Sequence, residues 1–558
     1  MTRMATSCHA LKQIPHNDRE ATMKRVITIF SLCFSMTINY AQAEEEFYWV
    51  STLSALANIR FASADAACEA AIDILGPIRG ASTGHTSAYG GKEFALGFGR
   101  PAFSCYAIYI SGPLPGMYIG LATTVRNGER CSIGTIYNPT TGDCVPNKDV
   151  GMPQCASRGG APAGNPINTL RGYKFQTERD YDGGNNGLAI TRFYHWDGGQ
   201  GVWRFNAQPF LQLNPLVANG ALANTVVLAN RTDMSVISFD GDVSQGWSAD
   251  SDIEEQLSAL TDSNDEIIGW RLTLTDDSIE EYDADGRLTS LTRRNGQELT
   301  FIYDLDGNLD QVINQYNQTL SYDFDLEGRV SSVTDPDGQV YIYSYDVIGN
   351  LSSVTFPDST ENDSSDNPTK SYHYENAGFP QALTGITDET GERFATWTYD
   401  TQGRAISSEH AGGVEKFTVD YTYLDDATDP RVTVTNPLNK QTTYHFETIN
   451  GRRLTTLIEG HASLNCPDTD RSNTYDANGF RDLAVDWNGV LTDFDHDERG
   501  LEVQRIEAVG TSEQRTISTT WHPDFRLPTE IIEPNKTTTF TYDTNSNLLS
   551  RTETNTNP

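Results

Sequence analysis

The stretch LTFIYDLDGNLDQV at residues 299–312 returns 21 residues later as LSYDFDLEGRVSSV at 320–333, and again as YIYSYDVIGNLSSV at 341–354. An earlier copy, YDADGRLTSL, occupies residues 282–291. In each copy an aromatic residue precedes an Asp, a Gly lies four residues after the aromatic, and aliphatic residues follow the Gly at fixed positions. Columns that keep this register over several copies predict a repeat architecture.

The repeat signature consists of the aromatic residue, the Asp, the Gly and, in some copies, an Arg after the Gly. The period loosens beyond residue 354 but persists, with clear later copies at Tyr399, Tyr475, Phe494 and Tyr542 and weaker ones at Tyr374, Tyr423, Phe446 and Trp521. The signature residues are Tyr282, Asp283, Gly286, Arg287, Tyr303, Asp304, Gly307, Gly328, Arg329, Tyr345, Asp346, Gly349, Tyr399, Asp400, Gly403 and Arg404.

Each repeat predicts a strand, a tight turn and a returning strand. Alternate strand residues point to one face, so Leu299, Phe301 and Tyr303 share a side. The Asp-x-x-Gly segment reverses the chain, because Asp stabilises its own turn and Gly accepts a positive φ. A lone hairpin cannot bury its apolar face, so the copies must stack into a long antiparallel sheet that curls on itself. The tyrosine ladder is then interpreted as the inward wall of that sheet.

The pattern Tyr-Asp-x-x-Gly-Arg-Leu at 282–288, with its copies over 276–558, resembles the RHS or YD repeat. The stretch 164–168, with Lys174, Glu178 and the segment Thr-Arg-Phe-Tyr at 191–194, resembles the segment that precedes the repeats in bacterial RHS proteins. The resemblance implies a spiral β-sheet wound into a hollow shell, which in this family commonly encloses a C-terminal toxin. Other members are cell-surface or teneurin-like adhesion proteins.

One departure from the family pattern affects the expected partners. Family members close the shell with a self-cleaving core followed by an effector, whereas here the sequence given ends shortly after the copy at Tyr542 and Asp543. We therefore expect a partial shell without the C-terminal core and effector, and we carry over no self-cleaving activity. The implied partner is a downstream-encoded core or toxin.

The chain divides into four parts by composition. Lys24 and Arg25, a mostly apolar run at 26–38 and the small-residue site ending at Ala43 predict a secretory signal cleaved after Ala43. The apolar run is too short to span a bilayer, so a secreted or cell-surface location is expected. The predicted parts are 1–43, a leader and signal peptide; 44–155, a Cys-rich domain; 156–275, a β-rich pre-repeat domain; and 276–558, the repeats. The predicted fold class is mainly β, with an Ala-rich stretch at 55–71 that a helix would also fit.

Cysteines cluster in the second part. Clustered cysteines in an exported chain indicate disulfides rather than zinc, because no C-x-x-C pair is present. Cys131 and Cys144 are the favoured pair, since residues 138–142 can turn the chain back between them. The other candidates are Cys68 and Cys105.

The net charge of the chain limits the kinds of partner that it can bind. The formal net charge is −36, which argues against nucleic acids and anionic membranes, since both require a basic face. No segment after the leader is apolar and long enough for an integral membrane protein.

Three motifs suggest chemistry, and each has a simpler explanation. The G-x-S-x-G match around Ser82 lacks a convincing preceding strand. The Asp-x-Asp-Gly segment at 304–307 resembles a calcium loop but lacks the later ligands, so turn chemistry is favoured over a weak surface ion. His496 lies among acidic residues that a solvated turn explains best. We therefore predict no catalytic residue, no cofactor and no metal site.

Three functions from different classes follow. The leading hypothesis is a secreted, non-catalytic RHS scaffold, the shell or carrier part of a polymorphic-toxin-like system. The alternative is a cell-surface adhesion or carbohydrate-binding protein that binds a surface glycan through loops at 355–372 and 424–430. The third is an enzyme located in 44–155.

Overall fold

The computed structural model describes residues 48–51, 85–86, 94–96, 100–109, 118–127, 134–138, 143–150, 162–218, 221–264, 266–358, 366–462 and 469–555. The predicted signal peptide, the Ala-rich stretch at 55–71, Cys68, Ser82 and Cys131 lie outside these ranges. For the strands before residue 128 only the backbone is described. They form a five-stranded antiparallel sheet in the order β1-β5-β4-β2, with β3 on β4. The strands are β1 (Tyr48–Ser51), β2 (His85–Thr86), β3 (Phe94–Leu96), β4 (Arg100–Tyr109) and β5 (Tyr118–Asn127).

A hairpin of β6 (Thr135–Asn138) and β7 (Asp143–Pro146) follows. The chain reverses between these strands and sets Tyr137 opposite Cys144, so the expected turn is confirmed. Cys105 lies in β4, where its side chain is not described. The disulfides themselves stay a prediction.

Two small antiparallel sheets come next. The first has five strands in the order β12-β11-β10-β9-β8, and the second has four strands in the order β13-β14-β15-β16. The strands are β8 (Pro162–Ala163), β9 (Ile167–Asn168), β10 (Tyr173–Asp182), β11 (Ala189–Trp196), β12 (Gly201–Phe205), β13 (Phe210–Ala218), β14 (Ala221–Asn230), β15 (Val236–Asp242) and β16 (Gly246–Ser248).

The rest of the described chain is one 26-stranded antiparallel sheet in which every strand pairs with the next in sequence. It begins two strands before the first Tyr-Asp copy. Its strands are β17 (Gln256–Thr261), β18 (Ile267–Thr273), β19 (Ile279–Asp283), β20 (Leu288–Thr292), β21 (Glu298–Tyr303), β22 (Leu309–Asn314), β23 (Thr319–Phe324), β24 (Val330–Thr334), β25 (Val340–Tyr345), β26 (Leu351–Thr355), β27 (Thr369–His373), β28 (Gly385–Thr387), β29 (Arg393–Tyr399), β30 (Ala405–His410), β31 (Val414–Asp420), β32 (Arg431–Thr435), β33 (Gln441–Ile449), β34 (Arg452–Gly460), β35 (Thr469–Tyr475), β36 (Arg481–Val485), β37 (Leu491–His496), β38 (Glu502–Glu507), β39 (Arg515–Trp521), β40 (Pro528–Glu533), β41 (Lys536–Tyr542) and β42 (Leu548–Asn555).

The strands of this sheet alternate between a buried and an exposed face, as the sequence predicts. In β21 the side chains of Leu299 and Phe301 are buried, whereas those of Thr300 and Ile302 are exposed. Leu299 lies opposite Leu291 on β20. Apolar columns on consecutive hairpins therefore merge into one continuous inner face.

The pre-repeat strands pack against that inner face, which the sequence analysis did not anticipate. Trp203 of β12 meets Tyr372 with ring centroids 4.9 Å apart, and Phe205 meets Tyr343 at 5.0 Å. Trp196 of β11 is buried and contacts Phe379. One hydrophobic core thus joins the small sheets to the early repeats. The segment before the repeats fills their interior rather than standing apart as a separate unit.

Candidate functional site

The signature Asp and Gly build the turn of each repeat. Asp304 Oδ1 accepts hydrogen bonds from the backbone N–H groups of Asp306 and Asn308, at 2.9 and 2.8 Å. Gly307 adopts φ +88°, and its N–H donates to the carbonyl of Asp304. The register slips by one residue between Ile302 and Tyr303, which is the bulge expected of a turn that ends in a left-handed residue. The same Asp hydrogen bonds recur at Asp283, Asp325, Asp346, Asp400, Asp476, Asp497 and Asp543.

In most copies the signature aromatic residue donates a hydrogen bond to the repeat before it. Tyr303 donates its hydroxyl hydrogen bond to the carbonyl of Leu288, at 2.9 Å, and Tyr345 donates to Val330 at 2.8 Å. Burial raises the pKa of Tyr303 to about 12, so its hydroxyl stays a donor at any physiological pH. The equivalent bonds are made by Tyr374, Tyr399, Tyr421, Tyr475, Trp521 and Tyr542.

Two sequence assignments are wrong. The copy placed at Phe494 is shifted by two residues, because Asp497 caps the turn and the register slips at His496. Tyr423 was taken as a repeat aromatic, but its side chain is 49% exposed. Tyr421 is buried instead and donates to the carbonyl of Ala405 at 3.0 Å. Tyr421 lies 22 residues after Tyr399, and Tyr423 lies 24 after it, so the 21-residue period already favours Tyr421.

The signature Arg contacts two consecutive repeats, pairing with the Asp of its own turn and lying near the Tyr ring of the next repeat. Arg329 Nε donates to Asp325 Oδ2 at 2.7 Å, and its guanidinium lies 4.4 Å from the ring centroid of Tyr345 in the next repeat. Arg404 does the same with Asp400, at 2.7 Å, and with the Tyr421 ring, at 5.0 Å. A partly exposed ion pair contributes little by itself. The added contact with the ring therefore makes the Arg a link between neighbouring repeats.

A sequence comparison matches this repeat geometry to a known family. The teneurin YD-shell family model matches residues 227–365, which include the first four signature copies. Residues 227–365 are thus similar to the YD-shell repeat family. No curated protein sequence matches this chain significantly.

A structural comparison also finds several solved structures, all at low identity and low TM-score. The TcdB2-TccC3 structure without its hypervariable C-terminal region is 12% identical, with a TM-score of 0.33, over 68% of this chain and 24% of that one. A Photorhabdus luminescens Tc holotoxin pore is 12% identical, with a TM-score of 0.32, over 69% of this chain and 26% of that one. A porin-like protein from Bacteroides uniformis is 13% identical, with a TM-score of 0.16, over 49% and 92%. The YD-repeat chain thus spans about a quarter of the length of the toxin chains.

The pre-repeat segment docks on particular turns of the YD sheet. The Leu211 N–H donates to the Gly286 carbonyl at 2.8 Å, and Trp196 Nε1 donates to the Gly403 carbonyl at 2.6 Å. The Ala405 N–H donates to Gly172 at 2.8 Å. The Leu211 and Ala405 contacts join main chain to main chain, and a Cβ at 403 would lie 2.4 Å from the Gly198 carbonyl oxygen. Glycine at 286 and 403 therefore serves docking as well as turn geometry.

Two turn glycines with the same backbone conformation allow the docking role of glycine to be tested apart from its role in the turn. Gly286 and Gly307 have φ of +87° and +88°, but a Cβ at 286 would lie 2.1 Å from the Leu211 carbonyl oxygen, whereas at 307 the only close atom lies 3.6 Å away on a side chain. Both Ala variants should lose about 1–2 kcal/mol from the left-handed backbone. We expect Gly286→Ala to lose about 1–3 kcal/mol more because of the clash. Urea unfolding of the two variants measures the difference, and equal losses would contradict the docking role.

A charged cluster lies at the centre of the interface between β10–β11 and the YD sheet. The fully buried Arg192 donates from Nε and Nη2 to Asp180, at 2.6 and 2.8 Å, and from Nη2 to the Tyr372 hydroxyl at 2.8 Å. Tyr343 donates to Asp180 at 2.9 Å. The guanidinium also lies 4.8 Å from the Trp203 ring centroid. Arg192 falls in the Thr-Arg-Phe-Tyr segment noted in the sequence, but no local pattern marked its partners.

Two further bases, His195 of β11 and Lys174 of β10, are also buried. His195 is 1% exposed, and neither ring nitrogen has a hydrogen-bond partner. Burial, together with the nearby Arg204, lowers the pKa of His195 to about 3. Burial also lowers the pKa of Lys174 well below its usual range, and its ammonium lies 4.1 Å from the Trp397 ring centroid. Both bases contact only other parts of the protein, which indicates a structural role.

The remaining sequence candidates add no chemistry within the described residues. Ser82 lies outside them, as does part of the loop at 355–372. His496 stacks on Phe480 with centroids 5.4 Å apart, and Asp497 is occupied in capping its own turn. In the described part of the chain no group of His, Cys, Asp or Glu is placed to hold a metal ion. No described helix is long and apolar enough to cross a membrane.

Proposed function

We propose that this protein is an exported, non-catalytic RHS scaffold that forms the shell or carrier part of a polymorphic-toxin-like system. The YD-shell match and the single continuous sheet support a scaffold. The signal-peptide pattern ending at Ala43 supports export to the medium or the cell surface. The partner we propose is a polypeptide that carries the core and toxin of such systems.

The observation that carries this proposal is a change along the inner face of the sheet. In the early repeats that face is apolar and buried under the pre-repeat strands, as at Phe301 and Tyr343. Further along, Phe494 lies opposite Arg505, and Arg505 lies opposite Ile517, so all three share that face. In these later repeats a charged side chain therefore lies on the inner face, where the early repeats have apolar residues.

The later inner face is an ion-pair network rather than a packed core. Arg505 pairs with Glu502 at 3.0 Å and with Glu507 at 2.9 Å, and Glu507 also pairs with Arg515 at 2.5 Å. The side chains of Arg505 and Arg515 are 34% and 55% exposed. Asp252 and Glu254 of the linker between β16 and β17 reach this wall at Glu502. A solvent-exposed, charged inner surface is better suited to contact an enclosed or docked polypeptide than to form part of this chain's own hydrophobic core.

The test is binding of the downstream gene product to the secreted chain. We expect light scattering to give a complex mass when the two are mixed, and we expect protease resistance of β36–β42 to rise. Arg505→Glu should weaken the complex, because it reverses a charge on the open inner face. Arg271→Glu is the matched control, since Arg271 pairs with Glu281 at 2.7 Å on the outer surface and is 46% exposed. A stable monomer that ignores the added partner would rule out the carrier role.

A further inference from the structure

Along one edge, the curled sheet meets the segment that leads into it. Turns that lie two strands apart share an edge of an antiparallel meander, and the linker between β16 and β17 crosses several of the late turns on that edge. Arg452 Nη2 lies 3.6 Å from Asp252 Oδ2, and a Cβ at Gly500 would lie 3.2 Å from the Cδ atom of Glu254. We call this line of contact the seam.

Arg526, in the turn between β39 and β40, closes the end of the seam. Its backbone N–H donates to the two carboxylate oxygens of Asp277, at 3.0 and 3.1 Å, across 249 residues. Its guanidinium pairs with Glu254, whose side chain is 7% exposed, and donates to the Arg499 carbonyl at 3.1 Å. Since Asp277 lies in the turn between β18 and β19, Arg526 joins the beginning of the sheet to β39 and β40.

The turn that presents Arg526 has a histidine where other repeats have an aspartate. Trp521 is the signature aromatic of this copy, since it donates a hydrogen bond to the preceding repeat as Tyr303 does. His522 follows it directly and therefore occupies the position that Asp304 has after Tyr303. An aspartate carboxylate stays an acceptor until about pH 4, whereas a histidine gains a second ring proton at much milder acidity.

His522 caps this turn through a ring nitrogen without a proton. The backbone N–H groups of Asp524 and Phe525 both donate to His522 Nδ1, at 3.1 and 3.2 Å. Because two donors point at Nδ1, that nitrogen carries its lone pair, and the ring proton lies on Nε2. The ring also stacks on Phe525 with centroids 4.6 Å apart. A second ring proton would set an N–H against two N–H donors and break both hydrogen bonds.

The charged groups around the turn do not offset that loss. Arg499 Nη1 donates to the carbonyls of His522 and Pro523, at 3.0 and 2.9 Å, so it adds positive charge beside the ring. Asp524 is exposed to solvent, where an ion pair contributes little. Among the described residues, the charged or titratable groups in contact with the turn are Glu254, Asp277, Arg499 and Tyr542, together with Asp524 and Arg526 of the turn itself.

We propose that the turn at 522–527 is an acid-sensitive latch, in which a proton on His522 releases Arg526 from Glu254 and Asp277 and opens the seam. In neutral solution the latch ties β39–β42 to the beginning of the sheet. In acid the turn loses both hydrogen bonds of its cap, and with them the backbone conformation that presents Arg526. The latch belongs to the fold and does not rest on the carrier role.

The test is hydrogen exchange of the secreted chain one pH unit above and one below the midpoint of the His522 titration, which NMR of ring-labelled histidine follows. Protection of the backbone N–H groups of Asp524, Phe525 and Arg526 should fall by at least about tenfold on the acid side, since two hydrogen bonds are lost. The turn capped by Asp304 is the internal control. It should keep its protection, because the hydrogen bond from the Asn308 N–H lowers the pKa of Asp304.

Two variants separate the latch from a general effect of acid. His522→Asp gives this turn the cap of the other repeats and should keep the seam closed at both pH values. Arg526→Gln should open it at both, with loss of protection between β18 and β19, whereas Arg551→Gln at an exposed residue of β42 is the matched control and should behave like the parent.

The parent measurements decide the question if a variant fails to fold. Three results would overturn the latch: protection at 524–526 is unchanged after His522 has titrated, it falls equally in folded His522→Asp, or the neutral ring carries its proton on Nδ1.

Discussion

Replacing Arg192 by Met should lower the free energy of unfolding by about 3–5 kcal/mol, because it leaves the Asp180 carboxylate buried without its counter-charge. Asp180 is 1% exposed and receives two hydrogen bonds from Arg192 and one from Tyr343. Arg192 also joins β11 to β27 through Tyr372. The loss should therefore loosen the pre-repeat segment from the YD sheet. Urea unfolding followed by tryptophan fluorescence measures it.

A matched control lies on the neighbouring strand. Arg179 pairs with Asp182 at 2.7 Å, but both side chains are more than half exposed. Arg179→Met should therefore change stability by no more than about 0.5 kcal/mol. The double variant Arg192→Met with Asp180→Leu should recover part of the loss, because it removes the uncompensated charge as well. Equal effects of the Arg179 and Arg192 variants would show that the buried pair does not hold the interface.

Lowering the pH should reduce the free energy of unfolding because of His195. This is the second largest effect that we predict. The pKa of His195 is lowered to about 3 in the folded state, whereas an unfolded histidine titrates near 6.5. As the pH falls between these values the unfolded state gains a proton that the folded state does not, so the unfolding free energy falls by about 1.4 kcal/mol per pH unit. The contribution of the neutral imidazole is thus fully present above pH 6.5 and is lost on acidification.

The variant His195→Phe removes this titration and keeps a ring in the same place. Relative to it, the parent should lose about 3 kcal/mol more between pH 7 and pH 4. Tyr173→Phe is the control, because Tyr173 contacts the His195 ring at 5.4 Å and its replacement leaves the imidazole buried. That control should keep the slope of the parent. Parallel stability curves for the parent and His195→Phe would refute the assignment.

The sequence by itself determined the repeat unit. The 21-residue period, the face of each strand and the turn residues follow from local rules, because the Asp304 bonds and the positive φ of Gly307 span only five residues. Such contacts repeat with the motif, so a periodic sequence is enough to reveal them.

Only the tertiary structure decided what fills the sheet and which turns are covered. Arg192 meets Tyr372 across 180 residues, and Trp196 meets Gly403 across 207. Asp252 meets Arg452 of β34 in the same way, through packing between distant segments. These contacts depend on how the pre-repeat segment folds back into the curve of the sheet. Each of these contacts occurs once and does not recur with the repeat. They arise from the burial of distant segments against each other, and not from local hydrogen bonding.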